Sequence, residues 1–286
     1  MAISPEAVAM FAQLKAEGFF GDVKSVVELG AQEMKCLNHA PVMKKCLDRF
    51  GVLEGLSEKQ LANICNGPAR SFFEAIGMDY VCIDAGKEEG SLFFDLNFHS
   101  VEKPHLGAYD LLTNFGTVEH AFNPYNSFKA AHDFVREGGY FIHYMPFLGY
   151  VDHGYYSFQP GFFYELAAAN KYEVLGMWLN LGIKEGACLI PWHHKVLETL
   201  DLKATAPCLL FVIMQKKEGG EFKVPFQARY APHYAGDFTV QYEAIVNTGS
   251  VANLSPQALI DGLSGRILQR ELIKRYVNKL KRALFN

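Results

Sequence analysis

Short apolar, β-branched runs that stop at a glycine or an acid constrain this chain more than any other feature of its sequence. Ser25–Leu29 (SVVEL) ends at Gly30, and Asp79–Asp84 (DYVCID) and Ser91–Asp95 (SLFFD) each end on an acid. Tyr109–Asn114 (YDLLTN) is followed by Gly116, and Tyr140–Met145 (YFIHYM) by Pro146. Glu173–Leu179 and Leu209–Gln215 supply two closing strands. Runs of this kind suit strands buried on both faces, and their alternation with helix-length segments predicts an α/β chain built on a doubly wound, mostly parallel sheet.

The intervening segments carry helix signals. Ser4-Pro5-Glu6 reads as an N-cap, a first-turn proline and a first-turn acid, with Val8, Phe11 and Leu14 on one face and Gly18 as the stop. Residues 33–77 read as helical pieces: a Val42, Cys46 and Phe50 stripe, a capping box at Ser57-x-x-Gln60, and Pro68–Ile76 closed by Gly77. Asn126–Glu137 is expected to be helical, with Phe128, Ala131 and Val135 inward and Gly138-Gly139 as its end; Gly161–Asn170 is another helix. Pro256–Phe285 reads as a long amphipathic helix with seven basic residues against two acidic ones. Its basic face is expected to be solvated, and its apolar stripe offers a route to a homo-oligomer. The organisation is thus an N-terminal helix over 1–24, a main domain over 25–218 with a helical insertion at 33–77, and an extension over 219–286.

Composition narrows the function. With 27 basic residues against 31 acidic ones, a net charge of −4 argues against a nucleic-acid partner, whose binding draws on phosphate neutralisation. No apolar run approaches the roughly 18–20 residues needed to span a bilayer, so no membrane role is expected. No secretory leader is visible, and six scattered cysteines read as reduced thiols; both favour a cytoplasmic protein. No metal centre is expected, since His193-His194 has no third ligand in view.

In an open parallel sheet, ligands bind beyond the carboxyl ends of the strands. Those ends carry Glu28, Gly30 and Gln32, then Asp84, Asp95, Asn114-Phe115-Gly116, Glu119-His120 and His143. A carboxylate ending the second strand can accept both hydroxyls of a ribose, and a glycine lets backbone approach a ligand closely.

SVVELGAQ, DYVCIDAG, YDLLTNFGTVEH and REGGYFIHYMP, in that order, resemble the successive motifs of class I S-adenosylmethionine-dependent methyltransferases. The resemblance covers about residues 20–180 and implies a seven-stranded Rossmann-like sheet with S-adenosylmethionine as cofactor. It would put Glu28 and Gly30 at the methionine end of that cofactor and Asp84 on the ribose hydroxyls; Gln32, in the altered loop, could hydrogen-bond the cofactor's amino-acid portion. Asp95 would lie near the adenine amine, and Asn114, Phe115 and Gly116 beneath the sulfonium. Glu119 would stand at the edge of the site. Two departures are plain: the first loop keeps one glycine of the usual three, and Glu28 and Asp84 stand 56 positions apart where about twenty are usual.

Methyl transfer to a hydroxyl or a protonated amine of a small molecule or sugar would use a general base, and histidine suits that role. The candidates are His153, in a loop that faces substrate in the resembling family, and His120 beside Glu119. Tyr155 joins them as a catalytic candidate, with Tyr156, Gln159 and His143 as substrate contacts. Bland alternatives stand beside each: a backbone bond for His153, a core histidine for His143, ordinary packing for the tyrosines. Two other functions remain open. One is a non-catalytic binding module that keeps the fold. The other is an NAD(P)-dependent oxidoreductase, disfavoured because no G-x-G-x-x-G follows the first strand. An esterase is disfavoured for want of a G-x-S-x-G elbow.

Overall fold

The computed structural model describes residues 2–86, 90–180, 189–192 and 207–227. The expected basic helix over 256–285 and the His193-His194 pair lie outside the described residues.

Among the described residues, a sheet of eight strands organises the chain. In spatial order they are β5 (Leu92–Phe93), β4 (Asp79–Asp84), β2 (Ser25–Leu29), β6 (Tyr109–Phe115), β7 (Val135–Leu148), β10 (Cys208–Lys216), β8 (Tyr172–Asn180) and β9 (Leu189–Pro191). The pairings from β5 to β7 are parallel, whereas β10 runs antiparallel to both β7 and β8. The sheet therefore has the seven expected strands plus β9, a three-residue strand on the outer edge of β8. A dinucleotide-binding sheet of order 3-2-1-4-5-6 has no reversed strand between its last two members. A separate parallel pair joins β1 (Ala2–Ile3) to β3 (Glu33–Met34).

Both faces of the sheet are covered. On one side α1 (Pro5–Ala16), α2 (Ala40–Arg49), α3 (Glu58–Asn66) and α4 (Ala69–Ala75) pack over Val26, Leu111, Ile142 and Phe211. On the other side α5 (Pro124–Phe134) and α6 (Pro160–Asn170) pack over Val27, Leu112, Phe141 and Val212. Local signals set the helix starts. Ser4 accepts a bond from the Ala7 amide, and Ser57 and Gln60 form the reciprocal capping box. At the opposite end of the sheet, Asp110 Oδ2 accepts from the Lys24 and Ser25 amides while its Oδ1 accepts from Arg136 Nε at 2.6 Å. One carboxylate thereby ties together the starts of β2, β6 and β7, and these partners hold it below the usual carboxylate range despite some burial.

Two expected boundaries move. The helix expected over Asn126–Glu137 ends at Phe134, and β7 begins at the next residue. Gly138-Gly139 is then the bend of a wide irregularity in β7, in which Val135 faces Tyr109 and Tyr140 faces Leu111. Gly138 takes φ +77°, and a Cβ on Gly139 would stand 2.6 Å from Val135 Cγ1. Pairing with β6 thus overrides the helix-stop reading. The third strand shrinks from Ser91–Asp95 to Leu92–Phe93 because Asp95 Oδ1 accepts from the Asn97 amide at 2.8 Å, turning the chain off the sheet. Among the described residues, no helix is long and apolar enough to cross a membrane.

Candidate active site

The chain leaves β2 toward β4 and later returns to β6 on the other side of β2, so the crevice between the carboxyl ends of β2 and β6 is the switch point of the sheet. Gly30 turns there with φ +77°. A Cβ on it would lie 2.6 Å from Thr117 Oγ1 and 3.1 Å from Gln32 Nε2, so only glycine fits both the turn and its surroundings. Thr117 Oγ1 donates to the Leu29 carbonyl at 2.5 Å and accepts from Gln32 Nε2 at 3.1 Å. Gln32 is buried, and its Oε1 has no hydrogen-bond partner among the described residues. Asp84 is half-buried beside this turn: its Oδ2 accepts from the Ala31 amide at 3.0 Å and its Oδ1 from Gly86 at 2.5 Å. Each carboxylate oxygen keeps a second lone pair for a ligand.

Glu28 faces away from this opening. It is fully buried under the α1–α4 layer, where it accepts from the Tyr80 hydroxyl and from the Gln32 amide at 3.3 Å. Burial pushes its carboxyl up to about 8. Its contribution to the loop is therefore made from beneath, through the Gln32 backbone. Tyr80 lies inside DYVCIDAG, where nothing in the sequence sets it apart from its neighbours. Strand pairing places it next to Glu28, on the same face two positions along from Glu28's partner Cys82.

After β6, Asn114 organises the turn that carries the next two candidates. Its Oδ1 accepts from the Thr117 and Val118 amides at 3.1 and 3.3 Å, and its Nδ2 donates to His143 Nδ1 at 3.1 Å. Asn114 and Phe115 are both buried, Phe115 against Phe11 and Tyr144, so neither opens toward the crevice. Asn114→Ala removes the cap of the turn and leaves His143 Nδ1 unpaired. A loss of about 2–3 kcal/mol is expected, read as a lower urea midpoint at unchanged slope; an unchanged midpoint would remove Asn114 from this role.

Glu119 and His120 sit on that turn, and the loop after β7 folds over them. The Tyr155 and Tyr156 amides both donate to the Glu119 carbonyl, at 2.8 and 3.2 Å. This brings His153 Nε2 to 3.8 Å from Glu119 Oε1, while His120 Nε2 lies 4.0 Å from the same oxygen. The two imidazole rings are 5.1 Å apart, and both are partly open to solvent. Glu119 is fully buried, and neither carboxyl oxygen has a hydrogen-bond partner among the described residues. Burial raises its carboxyl to about 7. Burial, and then the neighbouring His153, lowers the His120 imidazole. Residues 33 positions apart thus form one polar cluster at the carboxyl edge.

The remaining candidates divide. Tyr155 is exposed with its ring against Phe122, and the Tyr156 hydroxyl donates to the Phe122 carbonyl at 2.9 Å. Gln159 is exposed at the start of α6. His143, expected at the substrate, is instead a core histidine: it is 1% exposed among Phe128, Phe141 and Phe163, and burial lowers it to about 3. The alternation of β7 points it into the α5–α6 layer with Phe141 and Met145. Asp95 lies in the turn that ends β5, bonded to Asn97. A cavity of about 610 Å³ opens along that edge of the sheet, lined by Phe93, Phe94, Phe98, His99 and Val101 among others, and by none of the candidate catalytic, cofactor or substrate residues.

No protein-family model matches the chain, and no curated protein matches it in sequence. Among solved structures it is similar to a Burkholderia thailandensis 1,6-didemethyltoxoflavin-N1-methyltransferase bound to 1,6-didemethyltoxoflavin and S-adenosylhomocysteine. That likeness has 11% identity and a TM-score of 0.41, covering 74% of this chain and 80% of the other. An O-methyltransferase from a trans-AT PKS multienzyme of Brevibacillus brevis, in complex with S-adenosyl-L-homocysteine, is 14% identical with a TM-score of 0.40, over 90% and 82% of the two chains. The [4+2]-cyclase SpnF is 13% identical with a TM-score of 0.39, over 74% and 82%. At these identities and scores the likenesses decide neither family nor function.

Proposed function

We propose that the chain binds S-adenosylmethionine in the crevice between β2 and β6 and transfers its methyl group to an oxygen or nitrogen of a small molecule or sugar. The observation that carries this reading is a buried acceptor, Gln32 Oε1, without a hydrogen-bond partner among the described residues, on the loop whose Ala31 amide the Asp84 carboxylate accepts at the switch point of the sheet. An amino-acid ammonium is the donor that such an acceptor lacks, and a ribose diol matches the free lone pairs of Asp84. The residues therefore fit the two polar ends of the cofactor, and the ordered motifs ending at Gly30, Asp84 and Gly116 support the same choice. When bound, S-adenosylmethionine supplies a methyl carbon already activated by its sulfonium.

The chain's own part is placement and proton removal. Gly30, Gln32 and Asp84 hold the donor, with Glu28 and Asn114 bracing the two loops from below. His153 serves as base toward the acceptor, with His120 and Glu119 beside it and Tyr155, Tyr156 and Gln159 at the rim. A non-catalytic module is the second reading, favoured by the close packing of Thr117 and Gln32 around Gly30.

Calorimetric titration with S-adenosylmethionine, S-adenosylhomocysteine and NADH separates these. Micromolar binding of both adenosyl ligands without NADH binding is the expected result. In a folded chain that binds neither adenosyl ligand the non-catalytic module leads, and NADH binding would revive the oxidoreductase. His153→Ala is expected to lower turnover roughly 10²–10⁴-fold with adenosyl-ligand affinity intact; wild-type turnover would take His153 out of the reaction.

A further inference from the structure

We infer that Glu119, His120 and His153 form a binding site for one divalent transition-metal ion of the zinc and cobalt class, with its remaining coordination positions open toward the acceptor side. One carboxylate oxygen and two imidazole nitrogens are the donor set that such ions take, and three protein ligands with an open position distinguish a working site from a closed structural one. The three donor atoms all lie within 4.8 Å of one another.

Three observations point to a cation rather than to a bare polar cluster. First, the Glu119 carboxyl is sealed from solvent and neither oxygen has a hydrogen-bond partner among the described residues, an arrangement that disfavours the ionised carboxylate unless a positive charge faces it. Second, the only side chains that approach Glu119 Oε1 as ion-pairing groups among the described residues are two imidazoles, at 3.8 and 4.0 Å. Third, the loop that carries His153 is fixed to Glu119 itself through the Tyr155 and Tyr156 amides, so one ligand's backbone positions another ligand's loop. Donors about 2.0–2.1 Å from a tetrahedral zinc stand about 3.3 Å apart. The cluster needs to close by no more than about 1.5 Å to meet that geometry. Side-chain rotation of the two partly exposed rings supplies this, while Glu119 stays in place.

Ion binding is independent of the methyl-transfer reading. The ion's use in polarising an acceptor oxygen rests on that reading, with His153 the base of the ion-free chain and a ligand in the ion-loaded one.

The test is a cobalt titration of the full chain after chelator treatment, in the absence of any adenosyl ligand, followed by visible absorption and by zinc competition. One saturable equivalent per chain is expected. Glu119→Gln and His153→Ala should each lower affinity at least about tenfold, the loss that follows even from removing outer partners of metal ligands. Thermal melts report that the variants remain folded, and His153 lies on an exposed loop where its loss spares the core. The double variant His193→Ala/His194→Ala should bind as wild type. Absence of a saturable equivalent, binding that survives both ligand variants, or binding lost in the His193/His194 variant would each overturn the site. Calorimetry with S-adenosylhomocysteine on the metal-free chain reads the methyl-donor crevice separately, so the two proposals fail by different signals.

Discussion

Glu28→Gln is expected to remove a fall in stability of about 2–3 kcal/mol that the native chain undergoes between about pH 6 and pH 8. Burial holds the folded carboxyl at about 8, against 4.5 for the unfolded chain. Below the unfolded value both states are protonated and the folded state keeps its full advantage. Above it the unfolded chain releases its proton while the folded chain does not, so stability drops by about 1.4 kcal/mol per pH unit until the folded carboxyl ionises. Glu119, raised to about 7, adds a fall of the same sign below that pH. His143 acts in the opposite sense and lower down: burial depresses it to about 3 from 6.5, so its cost appears only as the pH falls below 6.5. Both remain in the variant, so the difference between native and Glu28→Gln midpoints across a pH series isolates Glu28. A difference that stays flat from pH 5 to 8 would mean that Glu28 is ionised in the fold.

Asp84→Ala is expected to raise the dissociation constant for S-adenosylhomocysteine by about 10²–10⁴. The estimate takes two charge-assisted hydrogen bonds to the ribose at about 1.5–3 kcal/mol each. The same substitution removes the acceptor for the Ala31 and Gly86 amides, so a smaller loss of stability accompanies it. Asp84→Asn separates the effects, because a neutral amide keeps one acceptor for the loop but loses the charge. Its affinity should fall between native and alanine. Native affinity in both variants would place the ribose elsewhere.

Much of this fold can be read from local chemistry. The caps of α1 and α3 depend on residues within four positions of each other, and the buried runs SVVEL, DYVCID and YDLLTN become the three adjacent parallel strands that define the crevice. Boundaries decided by tertiary pairing are not local. Two consecutive glycines after a helical pattern read as a helix stop until β6 claims Val135 and puts them inside a strand. The site follows the same division. Which residues stand at strand ends was legible, and Gln32, Asp84, Glu119, His120 and His153 do lie at the carboxyl edge. Which way a side chain turns was not, because strand alternation tells two faces apart without saying what covers each. Glu28, Asn114 and His143 consequently fall on the inner side. Thr117, which joins the two loops, lies inside YDLLTNFGTVEH, but nothing in that run shows that the loop after β2 packs against it.

That threonine has a thermodynamic consequence. Its hydroxyl is held by the loop after β2 and its amide by Asn114, two residues ahead of Glu119 on the same turn. A methyl donor that recruits Gln32 Oε1 pulls on a group bonded to Thr117, and so on the turn that carries Glu119 and His120. Occupancies joined through such a bridge obey reciprocity: whatever factor a bound adenosyl ligand applies to ion affinity at the turn, the ion returns to the ligand. On the two proposals above, a favourable factor would deplete the half-loaded chains, and the adenosyl ligand would be held mainly by molecules that also carry the ion.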